Sequence, residues 1–230
     1  HADIVSQLVD SDAELNPDFG EMPLHVAAEN NHVDVVHLLL QGGADSDKAD
    51  SYGNTALMKA AVAGCAEVVA KLLSQGATAD LEGSGGQTAL MKAAKANSSE
   101  CVTALVNGKA SLDTGDDNGN TALMLAASKG HTRLVQQLLD SGASTVRRND
   151  AGQSVMEVAQ EFAEEQQRHG DDSNQSDATD VVAILEAWER KDEEKPNPEP
   201  GPASDPELEA ARAIAQDDTE LQDIVSQSVQ

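Results

Sequence analysis

Residues 53–77 read GNTALMKAAVAGCAEVVAKLLSQGA. Thr55 is a helix-capping residue placed before ALMKAA, Gly64 is a turn, and Gly76 is a stop, so the stretch predicts a short helix opening at Thr55 and a second running through Leu73. Val68-Val69 and Leu72-Leu73 stand four residues apart and share one face of that second helix. Neither helix is long enough to bury its apolar face alone. The unit therefore needs neighbours of its own kind, with a core that continues from one to the next.

Those neighbours are present. Gly20, Gly53, Gly86, Gly119 and Gly152 stand 33 residues apart, and they are followed by EMPLHVAAEN, NTALMKAAVA, QTALMKAAKA, NTALMLAASK and QSVMEVAQEF. In the first four units, apolar pairs recur 15 and 19 residues after the glycine.

With these residues in view, the sequence resembles the ankyrin repeat family, whose pattern D-x-x-G-x-T-P-L-H-x-A-A, G-H, V-V-x-x-L-L, G-A is matched by residues 18–45 and again from 50, 83, 116 and 149. Met58, Met91 and Met124 replace the family histidine that is kept as His25, and alanine replaces proline at 56, 89 and 122. The resemblance implies an all-α solenoid of stacked helix-turn-helix units with short β-hairpin fingers. It also implies structural roles for Thr55, Thr88, Thr121 and His25, which would fix helix starts and tie neighbouring repeats.

The array is read over residues 1–190: a partial N-terminal repeat at 1–16, full repeats at about 17–49, 50–82, 83–115 and 116–148, and a degenerate C-terminal cap at 149–190. Ile4, Val5, Leu8 and Val9 align with Val35, Val36, Leu39 and Leu40, so the chain is expected to begin mid-repeat and the natural protein to extend N-terminally. In the cap, a polar insertion at about 164–178, including HGDDSNQSD, delays the second helix and is expected to be disordered. An acidic, proline-rich linker follows at 191–206, then a short amphipathic tail at 207–230 that is helical or disordered. The tail phrases DPELEAA and DDTELQDIV faintly resemble the helical Asp-Pro modules of co-chaperones.

A formal charge of −26 repels polyanions, which argues against nucleic acid and anionic membrane surfaces as partners. Residues 1–152 carry net −10 and residues 153–230 net −16, so the C-terminal part is the more acidic. Cys65 and Cys101 are too few for a disulfide framework and point to a reduced intracellular setting, the cytoplasm or another reduced compartment. No apolar run is long enough to insert into a membrane, and residues 1–20 carry no secretory signal pattern. Cys101 takes the register of Val68 and is expected in the core, whereas Cys65, opening a second helix, is expected to be partly exposed.

Chemistry-bearing motifs are absent. The six histidines form neither H-x-x-x-H nor H-E-x-x-H, no Cys/His cluster has metal spacing, and LEGSGGQTAL is not a phosphate loop. No catalytic residue, cofactor or metal is expected. Phe19 and Tyr52 each precede the repeat glycine and fall on neighbouring fingertips, where they are either interface anchors or rings packed on the adjoining hairpin. The inner-helix position reads Val26, Lys59, Lys92, Leu125 and Val158, with Lys95 one turn beyond Lys92. This basic strip either receives acidic side chains, from a partner or from the chain's own tail, or is a solvated face.

The leading function is a non-enzymatic protein–protein interaction module or scaffold that uses fingers and groove, with Phe19, Tyr52, Lys59, Lys92, Lys95 and Leu125 as its contacts. Alternatives are a chaperone-like or targeting factor whose C-terminal helices take apolar clients, and the interaction module of a larger enzyme.

Overall fold

The computed structural model describes residues 15–17, 22–169 and 172–193. The chain comprises two compact units, His1–Ala187 and Trp188–Gln230, and of the second only the residues up to Glu193 are described. Phe19, most of the partial repeat at 1–16 and the tail at 207–230 lie outside the described residues.

Helices come in pairs, one pair per repeat: α1 Pro23–Glu29 with α2 Val33–Gln41, α3 Ala56–Ala63 with α4 Ala66–Ser74, α5 Ala89–Lys95 with α6 Ser99–Asn107, and α7 Ala122–Ala127 with α8 Thr132–Asp140. The degenerate unit supplies α9 Val155–His169 and α10 Asp172–Glu193. First helices pack in the order α1, α3, α5, α7, α9, and second helices α2, α4, α6, α8 pack in a parallel row.

Local chemistry sets the helix ends. The hydroxyl oxygens of Thr55, Thr88 and Thr121 accept the N–H of Met58, Met91 and Met124 at 3.3, 3.4 and 3.4 Å, satisfying one orphan donor in each first helix. Asn31, Gly64, Asn97 and Gly130 occupy one repeated turn, with φ of 57°, 76°, 57° and 70°. Only Gly and Asn tolerate that left-handed backbone well, which explains why these two types alternate there.

The core is built of small and medium-sized aliphatic side chains with methionine. Leu57, Met58, Leu90, Met91, Leu123 and Met124 are buried on the first helices, where alanines at 60, 61, 93, 94, 126 and 127 let the helices approach closely. Val68, Val69, Leu72, Cys101, Val102 and Leu105 fill the second layer. His25 is buried, and its Nε2 donates to the Asn54 carbonyl of the next finger at 2.9 Å. Burial lowers its pKa by disfavouring the charged ring. Where later repeats carry methionine this bond is exchanged for packing: a Cβ on Gly83 would stand 2.9 Å from Met58 Sδ.

Fingers are tight turns, and no described residue lies in a strand. Asp50 and Asn54, Gly83 and Gln87, Asp116 and Asn120, and Asn149 and Gln153 close them through backbone bonds of 2.8, 3.0, 3.0 and 3.0 Å. Adjacent fingers join where Asp117 N–H donates to the Gly85 carbonyl and Asp150 N–H to that of Asn118, at 3.0 and 2.9 Å.

A second tie runs along the connections that lead from each second helix into the finger. Asp47, Asp80 and Asp113 accept the backbone N–H of Thr78, Ser111 and Ser144 in the following repeat, at 2.9, 2.8 and 2.9 Å. Asn16 does the same for Asp45 at 2.7 Å. The series stops at Val146, an exposed residue in the aspartate's place. Replacing Asp80 by alanine is expected to lower stability by about 1 kcal/mol in urea titrations. Asp80→Asn should be close to neutral, because an amide oxygen already fills this role at Asn16.

Three expectations are corrected. The insertion at 164–178 is helical wherever it is described, since α9 continues to His169 and α10 begins at Asp172. Its first part, EEQQRH, is rich in strong helix formers, and that propensity carries α9 well beyond the length of the other first helices. Residues 191–193, expected to open the linker, belong to α10, which runs to Glu193. Cys65 is 7% exposed rather than partly open, because the preceding repeat covers it and its thiol lies 3.7 Å from the Glu29 carbonyl.

Candidate protein-binding face

Tyr52 combines a fixed backbone with an open side chain. Asp50 Oδ1 accepts the N–H groups of Tyr52 and Asn54 at 2.9 and 2.8 Å, and the Tyr52 carbonyl accepts the Ser84 hydroxyl from the next finger. The ring nevertheless remains 73% exposed. Packing on the adjoining hairpin, the alternative role for this side chain, would cover more of it. Partial burial pushes the Asp50 carboxyl up, but the Asn54 and Tyr52 N–H groups, with Lys59 and His25, outweigh that and hold its pKa below the ordinary value.

The predicted inner-helix row lies on one face of the array. Val26 is 40% exposed, and Lys59, Lys92, Leu125 and Val158 are half-buried. Three residues on, a second row reads Glu29, Val62, Lys95, Ser128 and Glu161, and Val62 is 56% exposed. Sequence reasoning missed Val62, although aligning this column by the 33-residue period shows a valine among polar residues. Leu125 and Val158 line a recess of about 210 Å³ together with Phe162 and the finger residues Asn120 and Asn149. Fingers and first helices thus share one surface there.

Charge on this face is uneven. Lys59 is held by Glu29 at 3.7 Å and Asp50 at 3.6 Å. Lys92 and Lys95 make no ion pair among the described residues. Burial first, then repulsion from Lys95 and more weakly from Lys59, lowers the Lys92 pKa against the pull of Asp50. The larger recess, about 840 Å³, lies instead on the second-helix side, between α6, α8 and α10. Its polar groups already serve one another: Gln137 Nε2 donates to the Ser99 carbonyl and the Thr103 hydroxyl at 3.0 and 2.9 Å.

Among the described residues no group of three or more His, Cys, Asp or Glu side chains is placed to hold a metal. Burial raises the pKa of both Cys65 and Cys101, which disfavours thiolate chemistry.

Comparison with known families agrees with the geometry. A family model described as ankyrin repeats, in three copies, matches residues 1–83 and 72–149. The chain belongs to the ankyrin repeat family. A search of curated proteins finds no match. The family match ends at residue 149, where α9 and α10 begin to depart from the regular ankyrin unit. Ankyrin repeats are generally protein–protein interaction modules and are typically non-enzymatic. Among the described residues no helix is long and apolar enough to cross a membrane.

Proposed function

We propose that this ankyrin array is a scaffold that binds another protein across its fingers and first-helix face. Tyr52 is its anchor, and Lys59, Lys92, Lys95 and Leu125 are flanking contacts. Phe19, in the equivalent position one repeat earlier, belongs to the same proposal from its place in the sequence. The observation that carries this reading is the Tyr52 ring, left in water on a backbone that Asp50 and Ser84 immobilise. An aromatic side chain on a preorganised turn loses little freedom on binding and gains much by desolvation. Free, buried thiols at Cys65 and Cys101 suit a reducing setting such as the cytoplasm.

Crosslinking capture from source lysate tests the proposal. Tyr52→Ala should keep the helical circular dichroism of the parent and lose at least about tenfold of the specific crosslinked product, as expected for a hot-spot aromatic. Tyr52→Phe should retain most of it. Equal capture by parent and Tyr52→Ala would remove the fingertip from the binding site.

A further inference from the structure

We propose that the surface around Val62 receives an acidic segment of another protein, one that carries an apolar side chain among its carboxylates. The inference rests on the binding role proposed above and specifies the partner's chemistry.

Val62 is the apolar member of its column, and cations surround it in the lattice of the repeat. Lys59 lies three residues earlier on the same helix face. Lys95 occupies the same position on α5, the adjoining first helix, and Lys92 lies one turn before it. In a chain of net charge −26, this is a local reversal of sign. Glu29 and Asp50, at 3.7 and 3.6 Å, offset Lys59, so the excess positive charge lies with Lys92 and Lys95. Lys92 and Lys95 therefore repel each other with no carboxylate between them among the described residues. A carboxylate seated there replaces repulsion with attraction, and an adjacent Leu- or Val-like side chain covers the exposed valine.

The negative field of the rest of the molecule does not forbid this. At physiological salt, charges beyond about 8 Å are largely screened, so an acidic segment in contact responds to Lys92 and Lys95 rather than to the distant acids. The arrangement also gives specificity. A basic segment is repelled at contact, and a purely apolar one leaves the ammonium groups desolvated without partners.

Fluorescence anisotropy with the full chain provides the test. The probe is a labelled twelve-residue peptide of serines with an acidic residue at every third position and one central leucine. Two companions replace its acids by lysine or its leucine by serine. The acidic peptide should bind, the lysine version should not, and loss of leucine should weaken binding about threefold to tenfold. Lys92→Glu/Lys95→Glu should cost at least about tenfold and Val62→Ser about threefold. Lys92→Gln/Lys95→Gln serves if charge reversal disturbs the circular dichroism.

Failure of the acidic peptide to bind, or equal binding by the lysine variants, overturns the proposal. So does equal affinity for a thymidine oligonucleotide, which would mark a general anion patch. Carbodiimide crosslinks from Lys92 or Lys95 to acids beyond residue 193 would assign the surface to the chain's own C-terminal segment and overturn it too. If the peptide fails while Tyr52-dependent capture persists, the binding role survives and only the acidic class falls.

Discussion

Truncating Leu90 to alanine is expected to lower stability by about 3 to 4 kcal/mol, a large share of the roughly 5–15 kcal/mol that holds a typical domain together. Leu90 is 1% exposed on α5, and α5 packs on both α3 and α7. The cavity left behind thus faces two repeats, and neither can close it without losing its own contacts. Because each repeat touches only its neighbours, damage at the middle weakens the coupling between the two halves. Urea unfolding followed by circular dichroism should show an earlier midpoint and a broadened or split transition. Val62→Ala, exposed on the neighbouring first helix, should change stability by less than about 0.5 kcal/mol. Equal losses from the two substitutions would mean that α5 is not the shared core element described here.

The second large effect separates a backbone cost from a contact. Gly119 and Gly152 occupy the same finger position with φ of +73° and +79°, so alanine is disfavoured equally at both, by about 1–2 kcal/mol. Their surroundings differ. A Cβ on Gly119 would lie 2.8 Å from Asp150 Oδ1 and 3.0 Å from the Asp150 nitrogen of the next finger, whereas a Cβ on Gly152 meets nothing within 4 Å. Gly119→Ala is therefore expected to cost about 3 kcal/mol and Gly152→Ala only about 1 kcal/mol, the difference measuring finger-to-finger contact. If the two losses coincide in urea titrations, the neighbouring finger yields without resistance and fingers are less firmly joined than their hydrogen bonds indicate.

Much of this fold was legible because the period of the sequence carries its physics. Thr55, Gly64, Leu73 and Gly76 mark the ends of α3 and α4 within a residue or two, since capping and left-handed turns are local requirements. Lys59, Lys92 and Leu125 fall on one accessible face because the same helix position recurs in each stacked unit. What escaped notice depends on contacts between units. Asp47, Asp80 and Asp113 stand 33 residues apart in plain sight, yet a lone aspartate has no propensity signature that distinguishes a clamp on the next repeat from a solvated acid. Cys65 was misplaced for the same reason, since its cover comes from the preceding repeat. Polarity alone hides the continuation of α9 through EEQQRH, because these side chains are polar and yet mostly strong helix formers.

Stacking also dictates the cadence of anything that lies across the first helices. Packed helix axes stand about 8–10 Å apart, and an extended polypeptide advances about 3.3 Å per residue. A ligand strand crossing α3 and α5 therefore meets equivalent positions, such as Lys59 and Lys92, with every third residue. The array acts as a ruler: acids spaced three apart along an extended ligand keep step with it at every repeat, whereas acids at alternate positions meet it only at every second repeat.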